Sequence, residues 1–173
     1  MKKILVVVDM QNDFIDGSLG SKEASGIVSN VINKIKTYNK EDVYLTMDTH
    51  DENYMNTQEG KNLPVKHCIK GTEGFLLQKD IKKLIDENNI VEKITFGSIK
   101  LPKLLMYKYP DLNIEIEIIG LCTDICVVSN ALILKAFMPE VKISLDSKCC
   151  AGVTVEKHNA AIETMKSNQI EII

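Results

Sequence analysis

No basic run in the 173-residue chain is long enough to serve as a phosphate-binding patch, and 21 Lys and Arg face 24 Asp and Glu for a formal charge of -3. Nucleic acid is therefore not an expected partner. Also missing is any apolar stretch approaching the roughly 18–20 residues of a membrane span. The opening MKKILVVVDMQNDF carries two lysines and an apolar run, as signal peptides do, but the run is short and stops at Asp9 without a small-residue cleavage pattern. A soluble, cytoplasmic protein with no membrane partner is the expectation. Internal repeats and low-complexity segments are absent. The cysteines are Cys68, Cys122, Cys126, Cys149 and Cys150, an odd number without regular spacing, so no disulfide framework is expected. Cys149 and Cys150, adjacent after an apparent strand, read as small packing residues.

What is present is an alternation of strand and helix patterns. ILVVV at 4–8 reads as a strand buried on both faces, and Ile27, Val31, Ile35 and Tyr38 then recur at helical spacing. VYLTMD (43–48), a helical FLLQKDIKKLIDEN, the short strand IVEKI and a helical LPKLLMYKY follow. After them come IEIEIIG, a helix from about 124 to 137, VKISLDS, a helix from about 154 to 166 and a terminal IEII. This pattern predicts one domain over 1–173, a doubly wound, mostly parallel α/β sheet with helices on both faces. The polar segment 49–74 is too long for a mere connection.

In such sheets the ligand crevice lies beyond the carboxyl ends of the strands. Asp9 follows the first strand, Asp48 the second, Lys93 falls near the end of IVEKI, and Cys122 and Cys126 follow IEIEIIG. Cys126 is expected in the first turn of its helix, with Thr123 or Asp124 as N-cap, where free amides and the helix dipole favour a thiolate. A carboxylate at Asp9 could take the thiol proton and an ammonium at Lys93 could stabilise the anion. Amides around Cys122 and Cys126 could form an oxyanion hole. The competing reading makes Cys126 a buried helix residue, Asp9 a loop cap and Lys93 a solvated charge. A zinc clip is disfavoured because CxxxC has no second CxxC or nearby histidine, and no thioredoxin-like CxxC is present.

The loop DTHDENYMNTQEGKNLPVKHC brings together Asp48, His50, Glu59 and His67, two imidazoles and two carboxylates suited to zinc, iron or manganese. Solvated loop polarity is the alternative. Asp51, Glu52 and Glu73 read as surface charge, His158 as a surface or capping histidine, and Phe14 as either a loop anchor or an aromatic wall for a flat substrate.

These motifs resemble the isochorismatase-like cysteine hydrolase superfamily, and nicotinamidases within it. VVVDMQNDF is similar to the family's first-strand signature, VEKITFGS to its lysine segment, GLCTDICV to its nucleophile segment and LPVKHCIKGTEG to its histidine stretch, in order along essentially the whole chain. The resemblance implies a catalytic triad of Asp9, Lys93 and Cys126. It also implies an oxyanion hole from the amides of Cys122 and Cys126, a cis peptide at Leu121–Cys122 and a pocket aromatic at Phe14. One divalent metal, zinc before iron or manganese, is implied on Asp48, His50, Glu59 and His67. Many nicotinamidases carry a histidine where Tyr54 stands, and Glu59 falls where some members supply a glutamate instead. Hydrolysis of nicotinamide to nicotinate and ammonia through a thioester, in NAD salvage, is the implied activity, with a homo-oligomer the implied state. The rival readings are a hydrolase of another small amide, carbamoyl or ureido compound, a true isochorismatase acting on a vinyl ether, and a non-catalytic binding or thiol-redox module.

Overall fold

ILVVV has no polar face to offer solvent, so its strand needs cover on both sides. β1 (Lys2–Val8) accordingly lies inside a sheet whose strand pairings are all parallel. The computed structural model describes residues 1–173. After β1 come α1 (Asn12–Ile15), α2 (Lys22–Ile35), β2 (Val43–Asp48), α3 (Gln58–Asn62), α4 (Lys79–Lys82), β3 (Ile90–Lys93) and α5 (Lys100–Lys108). β4 (Ile114–Leu121), α6 (Val128–Phe137), β5 (Lys142–Ala151), α7 (Val155–Ser167) and β6 (Glu171–Ile172) complete the order. The six strands run β3-β2-β1-β4-β5-β6, the doubly wound arrangement that the alternation predicts.

Period-two alternation sorts side chains to the two faces. Leu5 and Val7 pack with Ala24, Ile27, Val31 and Ile35 of α2. Ile4, Val6 and Val8 pack instead with residues of α5, α6 and α7, among them Leu105, Leu134 and Met165. Each such fully buried aliphatic side chain contributes about 1.5–3 kcal/mol, and the result is three layers, α/β/α. The acids in IEIEIIG obey the same rule: Glu117 turns toward α2, where Lys34 Nζ and the Tyr38 hydroxyl each lie 2.6 Å from its carboxylate.

β4 ends irregularly. Its pairing with β5 shifts between Ile118 and Gly120, and Gly120 has φ +122°, where a Cβ would run into the Val8 carbonyl. Only glycine lets β4 pass β1 this closely. The next peptide, Leu121–Cys122, is cis, as the resemblance implies.

Two segments differ from the expectation. FLLQKDIKKLIDEN forms a helix only at Lys79–Lys82, with a 3₁₀ turn at Glu87–Asn89. Its first residues stay out of the helix because Leu77 bridges Gln11 and the Gln78 amide donates to the Met10 carbonyl, and these tertiary bonds replace a first helical turn. β5 also outruns VKISLDS and takes in Cys149 and Cys150, both buried as expected of packing residues.

Candidate active site and metal centre

All four predicted strand ends reach one rim. β1 and β4 are the central neighbours where the winding reverses, β2 lies beside β1 and β3 beside β2, with Asp48 directly paired to Lys93 in the ladder. Asp9 leaves β1 with φ +47°, a left-handed conformation that aspartate tolerates better than most residues. Its Oδ1 accepts the Thr46 hydroxyl at 2.7 Å. Its Oδ2 lies 2.6 Å from Lys93 Nζ in an ion pair but accepts no aligned hydrogen bond, which leaves a lone pair open. Lys93 Nζ is also 3.5 Å from Cys126 Sγ and 3.3 Å from Asp48 Oδ1. The predicted triad therefore converges, with Asp9, Lys93 and Cys126 at 0%, 4% and 5% exposure.

Burial sets the resting charges. Desolvation raises the Asp9 carboxyl above its ordinary value against the pull of Lys93. Burial works against the Lys93 charge, yet Asp9, Cys126 and Asp48 outweigh it and hold the ammonium protonated. The Cys126 thiol is pushed well above its usual range, first by burial and then by the Asp9 charge, with Asp9 in hydrogen-bonding reach. This corrects the expected lowering of that thiol by a helix N-terminus. Residues Thr123–Val127 form a π-helical turn, Cys122 rather than Thr123 or Asp124 stands at its N-cap, and no side chain caps it. At rest Cys126 is a neutral thiol and not a standing thiolate.

The loop donors converge as well. One ligand atom from each of Asp48, His50, Glu59 and His67 falls within 4.8 Å of all the others. His50 Nε2 lies 2.9 Å from Asp48 Oδ2 and 3.6 Å from Glu59 Oε1, and His67 Nε2 lies 3.5 Å from both of those oxygens. Donors about 2.1 Å from a tetrahedral zinc would stand about 3.4 Å apart, so the group fits a divalent cation. His67 Nδ1 bonds the Val65 carbonyl at 2.8 Å, which turns Nε2 inward. Burial opposes charge on His67, but Asp48 and Glu59 outweigh it and push its pKa up to about 10: the centre attracts positive charge. Tyr54, the alternative to Glu59, is fully buried with its hydroxyl donating to the Leu63 carbonyl at 2.9 Å, and its ring borders both imidazoles. It is a wall of the centre.

Asp48 joins the two clusters, one oxygen toward Lys93 and the other toward the histidines. Phe14 is buried 5.6 Å from the His67 ring. Asp51, Glu52 and Glu73 are exposed, as expected. His158 is not a free surface residue: it is half-buried, with Nδ1 2.8 Å from the Thr123 hydroxyl. Two grooves of about 940 and 710 Å³ run along residues 73–88 and the β3 edge and include none of these clustered side chains. Asp9, Lys93 and Cys126 lie buried.

Three supporting residues escape sequence reasoning. Gln11 is fully buried; its amide donates to the Asp48 and Phe75 carbonyls at 2.8 and 2.9 Å and accepts the Asp48 amide at 2.7 Å. Thr46 positions Asp9, and Asn130 donates to the Cys126 carbonyl at 2.8 Å while accepting the Ser98 amide at 3.0 Å. A polar residue four after Cys126 on an apolar helix was the available signal for Asn130. Gln11→Ala is expected to cost about 2–3 kcal/mol, because it orphans buried backbone groups. An unchanged urea midpoint would rule out that clamp.

The model of the Isochorismatase domain matches residues 3–173. A Bacillus subtilis protein described as the uncharacterized isochorismatase family protein PncA is 31% identical over 174 residues, spanning 94% of this chain and 93% of its own. The nicotinamidase/pyrazinamidase of Mycobacterium tuberculosis is 23% identical over 195 residues, 99% of this chain and 98% of that protein. Among solved structures, the pyrazinamidase of Pyrococcus horikoshii in complex with zinc superposes with a TM-score of 0.83 at 26% identity, covering 100% of this chain and 99% of that one.

Proposed function

The chain belongs to the isochorismatase family, and from that membership and its site we propose that this hydrolase cleaves nicotinamide to nicotinate and ammonia. The observation that carries the reading is the pairing of a buried Asp9–Lys93–Cys126 cluster with a four-donor centre through the shared carboxylate of Asp48. A cysteine hydrolase needs the first cluster for any amide; the second supplies a reason to prefer one with a ring nitrogen.

Asp9 Oδ2 takes the proton of Cys126, and the thiolate sulfur forms a bond to the carboxamide carbon. The carbonyl π electrons move to oxygen, where the amides of Cys122 and Cys126 donate to the developing charge. Asp9 returns the proton to nitrogen as the C–N bond breaks, and ammonia leaves. Asp9 then draws a proton from water as its oxygen attacks the thioester; the C–S bond breaks, and the proton passes to sulfur, regenerating the thiol. Lys93 stays protonated throughout and offsets the negative charge that moves between Asp9 and Cys126. Phe14 packs against the pyridine. Asp48, His50, Glu59 and His67 would hold one divalent ion, zinc first, which when bound supplies a Lewis-acid contact that orients the ring nitrogen.

The test is ammonia release from nicotinamide by metal-loaded protein, with metal content measured alongside. Chelation is expected to lower kcat/KM on the order of 10²-fold, as loss of orientation does, and added zinc to restore it. A folded, metal-loaded protein that leaves nicotinamide intact would move the assignment to another small amide.

A further inference from the structure

α7 supports the nucleophile turn from behind. Thr123 is wholly buried, and its hydroxyl pairs with His158 Nδ1 at 2.8 Å. The next residue, Asp124, accepts the Val153 amide at 2.9 Å through Oδ1. Gly152 lies between them without room for a side chain, since a Cβ there would stand 2.9 Å from both Asp124 Oδ1 and His158 Cβ. The link into α7 and its first turn thus press directly on the residues that precede Cys126.

That turn needs support. π-helical geometry is rare and clusters at functional sites, and Cys122 at its start has no side-chain cap. On the other side Asn130 holds the Cys126 carbonyl; on this side His158 is the partner of the buried Thr123 hydroxyl. Removing the imidazole leaves that hydroxyl unsatisfied in a turn that carries the thiol and both amides assigned to the oxyanion. A misplacement of about 1 Å at a reacting centre costs on the order of 10²-fold in rate.

We propose that His158 is a positioning residue for the nucleophile: its bond to Thr123 sets where the π-helical turn holds the Cys126 thiol against Asp9 and Lys93. This rests on the assignment of Cys126 as nucleophile and extends it to a residue on α7 in contact with none of the reacting atoms.

The test measures kcat and KM for nicotinamide together with the rate of iodoacetamide alkylation at Cys126, mapped by mass spectrometry. For His158→Ala, kcat and the alkylation rate are expected to fall about tenfold while KM stays within about twofold. His158→Asn, whose amide can meet Thr123 where Nδ1 does, restores most of both. Thr123→Val, close in shape but without the hydroxyl, reproduces the loss, and combining it with His158→Ala adds nothing further. Unchanged kcat and alkylation in folded His158→Ala overturn the proposal, as do additive losses or no rescue by asparagine. Should His158→Ala fail to fold, Thr123→Val alone decides: full reactivity overturns it. If the wild type releases no ammonia from nicotinamide, the substrate reading falls, and the alkylation rates still decide the role of His158.

Discussion

Cys126→Ala should lower amide hydrolysis on the order of 10⁴-fold or more, the scale of removing a covalent nucleophile, while fold and metal content stay intact. The wild-type thiol is buried and neutral at rest, held so by desolvation and the nearby Asp9 charge. Alanine therefore removes one sulfur from a packed position without uncovering a charge, and the Asp9–Lys93 ion pair, 2.6 Å long, needs no help from sulfur. The destabilisation expected is of the order of a small core truncation, about 1 kcal/mol. Ammonia release, a denaturation midpoint and bound metal, measured on one preparation, separate the two effects. Turnover that survived the substitution would remove Cys126 from the mechanism, and a collapsed midpoint would mean that the sulfur is structural.

Lys93→Met should be the most destabilising single change at this site, about 3–5 kcal/mol at neutral pH. Lys93 is a buried cation placed against two buried carboxylates, 2.6 Å from Asp9 and 3.3 Å from Asp48. Methionine fills similar space but leaves those charges without their counter-ion. The pH dependence gives the prediction a sign. Burial already raises the Asp9 carboxyl above its ordinary 3.8, with Lys93 opposing the shift; deleting Lys93 raises it further. A carboxyl whose folded pKa exceeds its unfolded one holds more protons folded than unfolded in the interval between them. The resulting stability is fully present below the unfolded value and lost as pH rises through the folded one. The deficit of Lys93→Met against wild type should therefore be largest near neutrality and shrink toward pH 4. Urea midpoints across that range test it; a deficit independent of pH would show that packing, not charge, dominates at residue 93.

The strand ends are legible in the sequence. A β-branched ILVVV closed by Asp9, VYLTMD closed by Asp48 and IVEKI near Lys93 place those groups at carboxyl ends because parallel strands point the same way. The loop donors were legible as residue types, and Glu59 could be preferred over Tyr54 only through the resemblance. FLLQKDIKKLIDEN misled because apolar spacing reports what a helix could bury and not which backbone partner competes for its amides. The Gln78 amide went to the Met10 carbonyl, and the Leu76 carbonyl accepted the Asn12 amide.

Composition and period thus settled the layered α/β architecture, which depends on local pattern, and the resemblance singled out the candidate reactive side chains, which depend on the residue types at matching positions. The resting protonation of Cys126, the clamp of Gln11 on Asp48, the sharing of Asp48 between two clusters and the pairing of His158 with Thr123 were settled by the folded chain alone. Each depends on distance and desolvation between groups 35 or more residues apart in sequence, or on burial that neighbouring residues do not report. Charge and hydrogen bonding act through space, and sequence order carries no record of that distance.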